Sequence, residues 1–148
     1  MKTINTLAIT ILLCITISFQ TFAQGYTPPS RELIETLLEE LEDCKANLTK
    51  AENKIKKMEA NSASYTLAQY NHTKNAVEIS ELCIKARRDE LDALRKDYPG
   101  WFNSPNAILS LNRSRSITPR ELVLAIETIE EKIAAAIKRA EALLEPKN

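Results

Sequence analysis

The sequence predicts an all-α fold: a three-helix bundle built on a disulfide-stapled antiparallel helical hairpin, with a long, partly helical loop before the third helix. Three observations lead to this prediction. An apolar heptad pattern runs from Ile34 to Met58, one cysteine stands on each side of a break at 61–64, and a helix start signal occurs at Thr118. No useful length of chain alternates between apolar and polar residues as a half-buried strand does.

Residues 1–23 have the layout of a secretory signal peptide. A lysine precedes an apolar run over 7–19, and Ala23 is small enough to precede a signal-peptidase cut. The run is shorter than the roughly 20 residues that a membrane-spanning helix needs, so we expect cleavage and no stable membrane insertion. The sequence therefore predicts an exported protein, periplasmic or secreted, in which residues 24–29 are a short lead to a single helical domain over 30–148.

The first helix is predicted over about 30–61. Ser30 follows two prolines and is a natural N-cap. The heptad pattern continues without a break, which predicts one long helix. Its two apolar rows are Ile34, Leu41, Leu48 and Ile55, and Leu37, Cys44, Ala51 and Met58.

The second helix is predicted over about 65–97, folded back on the first. Both helices rise by the same amount per residue, so this antiparallel arrangement sets Cys44 opposite Cys83. Its apolar residues form two adjacent stripes, which predicts two neighbouring helices. The stripe expected to face the first helix is Ala76, Ile79, Cys83 and Ala86, and the stripe expected to face the third is Tyr70, Val77, Ile84, Leu91 and Leu94.

The order of charges supports the same pairing. The first helix is acidic at its start, and the second is basic towards its end, so folding back brings opposite charges together. Each exposed pair contributes only a few tenths of a kcal/mol, roughly, and therefore indicates register more than stability. The expected pairs are Glu40 with Arg87, Glu39 with Arg88, and Glu32 with Arg95.

Two cysteines remain after residue 23, and an even pair in an oxidising compartment usually forms a disulfide. We therefore expect a Cys44–Cys83 disulfide, with two buried free thiols as the alternative. We expect no metal site and no cofactor, because His72 is the only histidine and has no second cysteine near it.

The third helix is predicted over about 118–145. Thr118 is its expected N-cap, Pro119 occupies the first turn, and Glu121 completes a capping box. Pro146 is expected to end it.

Segment 98–117 is far longer than a connector between neighbouring helices needs to be, and such loops tend to be functional or disordered. Its aromatic and apolar residues argue against disorder, and Ser104-Pro105 is expected to start a short helix within it. One hypothesis is that the segment plugs the open end of the bundle through Trp101, Phe102, Ile108 and Leu111, with its arginines answering the acids of the first helix.

The other hypothesis is that this segment binds a partner protein. Trp and Arg are among the residue types enriched at binding hot spots. The candidate partner-binding residues are Trp101, Phe102, Arg113 and Arg115.

The sequence favours a non-enzymatic interaction protein, such as an adaptor, an inhibitor or a chaperone-like bundle, that binds another protein through a helical face or through 98–117. Lys and Arg together number 20, as do Asp and Glu, so nothing indicates a nucleic-acid partner. The alternative is a small exported enzyme, but the sequence has no nucleophile elbow, no glycine-rich loop and only one histidine, so no catalytic residues are expected. The charged outer faces of the first and third helices predict a monomer or a weak dimer.

Overall fold

The computed structural model of the protein describes residues 26–61, 65–112 and 114–143. The predicted signal peptide, the centre of the hairpin turn, Arg113 and the predicted end of the third helix lie outside these residues. The described part is mostly helical, which confirms the all-α class. Its elements are α1 (Arg31–Ala60), α2 (Leu67–Asp97), α3 (Pro99–Asn103), β1 (Leu109–Ser110), β2 (Ser116–Ile117) and α4 (Pro119–Ala142).

Each long helix begins at an N-cap residue whose side chain forms local hydrogen bonds. The Ser30 hydroxyl accepts a hydrogen bond from the Leu33 N–H at 3.2 Å and caps α1. Thr118 and Glu121 form the predicted capping box of α4, with Pro119 in the first turn. Both predicted N-caps are therefore confirmed. A second capping box, of Thr66 and Gln69, starts α2 and was not predicted.

A disulfide joins α1 to α2. Cys44 and Cys83 form it with their Cα atoms 5.7 Å apart, as the antiparallel pairing predicted. The predicted ion pair between Glu40 and Arg87 is present next to the disulfide.

The other two predicted ion pairs are wrong. Arg88 points towards α4, where its Nε donates to the Glu130 carboxylate at 2.8 Å, instead of towards Glu39. Arg95 lies 3.5 Å from Asp92 on its own helix instead of pairing with Glu32. Successive residues point about 100° apart around a helix, so Arg87 contacts α1 and Arg88 contacts α4.

Helices α1, α2 and α4 contact one another pairwise and enclose a continuous apolar core. All eight buried residues of α1 belong to its two predicted heptad rows. Helix α4 contributes a regular row of buried apolar residues, and segment 98–117 closes one end of the core. The buried apolar residues outside α1 include Tyr70, Val77, Ile84, Leu91, Leu94, Trp101, Ala107, Leu111, Ile117, Leu122, Ile126, Ile129, Ile133, Ala136 and Ala140.

The side of α2 that faces α1 differs from the prediction. Ile79 is 57 % exposed and Ala86 is also exposed, whereas Thr73 and Ser80 are buried. Because α1 and α4 touch each other, α2 meets both across a single arc of its surface. Ile79 and Ala86 of the predicted stripe fall outside that arc, whereas Cys83 is half-buried at its edge and forms the disulfide. The buried hydroxyls are satisfied within α2: Ser80 donates to the Ala76 carbonyl at 3.0 Å, and Thr73 to the Gln69 carbonyl at 3.1 Å.

Segment 98–117 contains a short helix, but not at the predicted place. Helix α3 begins at Pro99, whereas Ser104 and Pro105 form a turn closed by a hydrogen bond from the Ala107 N–H to the Ser104 carbonyl at 3.2 Å. A Ser-Pro pair fits the first two positions of a β-turn as well as a helix start, so the sequence signal was ambiguous. The turn leads into the antiparallel pair of β1 and β2, which was not predicted.

Candidate partner-binding site

Segment 98–117, which we call the end cap, is anchored in the core by one large side chain. Trp101 is completely buried and joins the apolar core between the end of α2 and the start of α4. Its indole N–H finds no acceptor among the described residues. Leu111 is buried as the plug hypothesis expects, but Ile108 is 57 % exposed, because it precedes β1 on the outward side of the β1–β2 hairpin.

Phe102 links the buried anchor to the surface. Its ring meets Trp101 edge to face, with centroids 4.9 Å apart and ring planes at 80°. The ring is half-buried, and the Arg95 guanidinium carbon lies 5.9 Å from its centroid, within the range of a cation–π contact. The predicted residues Trp101 and Phe102 are thus in contact, and α2 contributes Arg95, which had been expected to pair with Glu32.

The N-terminal lead packs against the end cap. The Tyr26 hydroxyl accepts a hydrogen bond from the Ile108 N–H at 3.4 Å, and Pro29 is buried. A Cβ atom added to Gly100 would lie 3.3 Å from the Tyr26 Cβ, so the absence of a side chain there permits this close approach. Sequence analysis missed this contact. The one signal for it was a tyrosine in a lead without other large apolar residues.

A carboxylate of α1 holds the hairpin. Glu35 accepts hydrogen bonds from the backbone N–H of Asn112 at 2.5 Å and from its side-chain Nδ2 at 2.7 Å. The turn between the strands is closed by a hydrogen bond from the Leu111 N–H to the Arg115 carbonyl at 2.7 Å. Ser114 in this turn has a φ of 57°, a conformation that non-glycine residues seldom adopt. The end cap is therefore tied to α1, α2 and the lead at separate points.

Arg115 lies at the edge of a depression of about 400 Å³ between the hairpin and α1. The walls carry the carboxylates of Glu35, Glu39 and Glu42, and Leu38 and Leu111 contribute apolar surface. Arg115 is exposed and forms no ion pair within 4.0 Å with any described residue. It faces the acids of α1, as one hypothesis expected, but its guanidinium stays available to other groups.

The first turn of α4 adds a fourth carboxylate near Arg115. The backbone N–H and the hydroxyl of Thr118 hold the pKa of Glu121 below its ordinary value, and the charge of Arg115 contributes to the lowering. Glu121 therefore stays ionised to a lower pH than an ordinary glutamate. Arg115 thus stands between the acidic start of α1 and an ionised carboxylate of α4.

The described residues contain no group of three or more His, Cys, Asp or Glu side chains placed to hold a metal ion. His72 is exposed, and its Nε2 lies 3.3 Å from Lys54 Nζ. Among the described helices, none combines the length and the hydropathy that crossing a bilayer requires.

No family model matches the chain, and neither a curated protein nor a solved structure is significantly similar to it. Of the four candidate partner-binding residues, the structure places Trp101 in the core, Phe102 beside it at the surface and Arg115 on the hairpin. Arg113 lies outside the described residues. The geometry of the site defines an end cap that is supported from the inside and partly exposed outside.

Proposed function

We propose that this protein is an exported, non-enzymatic interaction protein that binds another protein through the outer surface of its end cap. The observation that carries the proposal is that some residues of segment 98–117 hold it in place while others remain exposed. Trp101 and the Asn112–Glu35 hydrogen bonds hold the segment from the inside, whereas Ile108 and Arg115 remain exposed. We also propose that α1, α2 and α4 act as one three-helix bundle that supports this surface.

The physical basis is preorganisation. A loop that is already ordered loses little conformational entropy when it binds, so more of its contact energy appears as affinity. The exposed side chains combine an aliphatic group, a guanidinium and the edge of Phe102, and such mixtures of apolar and arginine contacts are common at binding hot spots. Closing the core uses the buried residues of the end cap, and the side chains of Ile108 and Arg115 remain exposed beside Phe102.

Export is part of the same proposal. The disulfide between α1 and α2 is typical of proteins that fold in an oxidising compartment. Together with the predicted signal peptide over 1–23, it supports a periplasmic or secreted location. An adaptor, an inhibitor and a chaperone-like protein each fit a small exported bundle with one supported binding surface.

The test reverses the charges of Arg113 and Arg115. The double variant Arg113→Glu/Arg115→Glu should keep its melting temperature within about 2 °C of the parent, because Arg115 is exposed and such substitutions rarely change stability by more than about 0.5 kcal/mol. It should nevertheless lose the protein that the parent retains in a pull-down from its native compartment. A photo-crosslinking residue at Ile108 should attach to that protein, whereas one at the exposed Ala135 of α4 should not.

The matched control is Lys50→Glu/Lys138→Glu, which changes the net charge by the same amount at two exposed positions of α1 and α4. It should retain the partner. If the Arg113→Glu/Arg115→Glu protein keeps every partner of the parent, the end cap is not the binding site. A loss of enzymatic activity on changing His72 to alanine would support the alternative of a small exported enzyme, whereas the interaction proposal expects no effect.

A further inference from the structure

The outer face of α2 carries a seam of exposed residues with large apolar side chains at its centre. One hydrogen bond, between His72 and Lys54 of α1, joins the seam to another described element. Ile79 is 57 % exposed and Leu82 is 67 % exposed, and they stand three residues apart at the centre of the seam. The seam has the spacing of a heptad pattern, with alternating steps of three and four residues. Its members, all exposed, are Ala68, His72, Asn75, Ile79, Leu82, Ala86, Asp89 and Ala93.

We propose that this seam pairs with the same seam of a second copy of the chain, antiparallel, to form a dimer. The order of residues along α2 favours a second copy of the chain as the binding partner of the seam. A twofold axis beside Ser80 and Glu81 maps the seam onto itself, so that every position meets another position of the seam. The four resulting contacts are Ile79 with Leu82 of the second copy, Asn75 with Ala86, His72 with Asp89, and Ala68 with Ala93.

Charge complementarity favours this pairing. Asp89 of one copy meets His72 of the other, and Lys54 Nζ lies 3.3 Å from the His72 ring, so the carboxylate faces a positive charge. Along one border of the seam, Glu78 faces Lys85 of the second copy, and the twofold axis repeats the pair. Glu78 and Lys85 are exposed in the single chain, and the internal Lys74–Glu78 contact is long, at 3.7 Å.

The parallel arrangement is unfavourable for the same residues. It would place Asp89 beside Asp89 and bring the two copies of Lys54 next to His72 together, and like charges in register are destabilising. Antiparallel pairing also brings small residues, Ala68 and Ala93, together at both ends of the seam, where they allow the helix backbones to approach closely. Charge order and side-chain size therefore both select the antiparallel dimer.

The seam spans about 38 Å of helix but has only two large apolar residues per chain. An interface of this kind lies at the small end of specific contacts, so we expect a dissociation constant in the micromolar range or weaker. The seam lies on α2 and not on the end cap, so the dimer leaves the proposed partner-binding surface open. The two proposals stand independently.

Sedimentation velocity of the disulfide-bonded protein, from micromolar to millimolar concentration, tests the dimer. The parent should shift reversibly from monomer to dimer. Leu82→Glu should weaken association at least about tenfold, because it places two like charges in the centre of the seam. The control Leu124→Glu makes the same change at an exposed leucine of α4, 58 % exposed, and should leave association unchanged.

A charge exchange tests the orientation. Glu78→Lys and Lys85→Glu should each weaken the dimer several-fold, and the double variant should restore it, because only antiparallel pairing sets these two residues against each other. A parent that stays monomeric at the highest concentration overturns the proposal and leaves the seam to another protein or to solvent. The proposal also fails if Leu82→Glu dimerises normally, or if the charge exchange gives no restoration.

Discussion

Helices α1 and α2 have nearly the same length, 30 and 31 residues, yet they bury different kinds of side chain. Every buried residue of α1 is apolar, and all follow its heptad pattern. Helix α2 buries the hydroxyls of Thr73 and Ser80 while it exposes the aliphatic side chains of Ile79 and Leu82. The two helices face each other across the disulfide, so this difference does not come from a difference in environment.

The contrast shows that the buried face of α1 matches its apolar pattern, whereas the buried face of α2 includes two hydroxyls and leaves Ile79 and Leu82 outside. Turning α2 to bury Ile79 would carry Val77 and Ile84, which lie on the other side of the helix, out of the core. The buried hydroxyls cost little because each donates to a carbonyl of its own helix. The disulfide and the α4 contact thus set the rotation of α2 and leave its second apolar seam on the surface.

The largest effect should come from removing the bond that sets this rotation. The Cys44→Ser/Cys83→Ser variant should lose about 4 kcal/mol of unfolding free energy, the chain-entropy value for a sequence separation of 39. Denaturant unfolding measures the loss, and circular dichroism should show that the helix content is retained. The native oxidised protein should contain no titratable thiol in the mature chain. Two titratable thiols there would show that the disulfide is absent and that this explanation is wrong.

The next effect separates the two helices directly. Leu41→Ala removes a completely buried side chain of α1 and should cost about 3 kcal/mol, because it leaves a cavity in a close-packed core. Leu82→Ala removes the same atoms from the outer seam of α2 and should change the stability of the monomer by less than about 0.5 kcal/mol. Chemical unfolding of both variants at low protein concentration makes the comparison. Equal losses would show that Leu82 is buried in solution.

Replacing the buried hydroxyl of α2 should have a smaller effect. We expect Ser80→Ala to change stability by less than about 1 kcal/mol, because the Ala76 carbonyl keeps its helical hydrogen bond and the lost atom is small. Thermal unfolding is sufficient to measure it. A loss of several kcal/mol would mean that the hydroxyl has a partner beyond its own helix.

The pH dependence of stability should show which carboxylates the arginines of α2 bind. The hydrogen bond from Arg88 holds the pKa of Glu130 below its ordinary value of 4.5, so the stability it contributes is present above about pH 4.5 and is lost as the pH falls further. Glu130→Gln should therefore flatten the loss of stability on acidification. Denaturant titrations between pH 7 and pH 3, roughly, measure this change.

Glu90 provides the control with the opposite sign. Burial raises its pKa above 4.5, in spite of the nearby Arg87, so its contribution to stability is present below pH 4.5 and is lost as the pH rises through the raised value. Glu90→Gln should steepen the acid loss instead of flattening it. If both variants shift the pH profile in the same direction, the assignment of these two carboxylates is wrong.

For the end cap, the sequence indicated the segment but not its construction. A long segment with Trp101 and Phe102 between two strong helices was evident from composition alone. Its fold was not, because Pro99 and Pro105 both carry a helix start signal, and only the burial of Trp101 selects the first. The contacts of Tyr26 with Ile108 and of Glu35 with Asn112 join residues distant in sequence, so no local pattern could reveal them.

The sequence by itself determined the all-α class, the caps of α1 and α4, the buried rows of α1 and the pairing of Cys44 with Cys83. The class, the caps and the buried rows follow from periodicity and from local hydrogen bonds, which a stretch of chain carries within itself, and the cysteine pairing follows from the equal rise of two antiparallel helices. Only the tertiary structure decided which of the two predicted stripes of α2 is buried, which neighbour Arg88 binds and where the lead packs. Those outcomes depend on which apolar surfaces of the three long helices are buried together in one shared core. Contacts between residues distant in sequence decide this, and no single stretch of chain contains them.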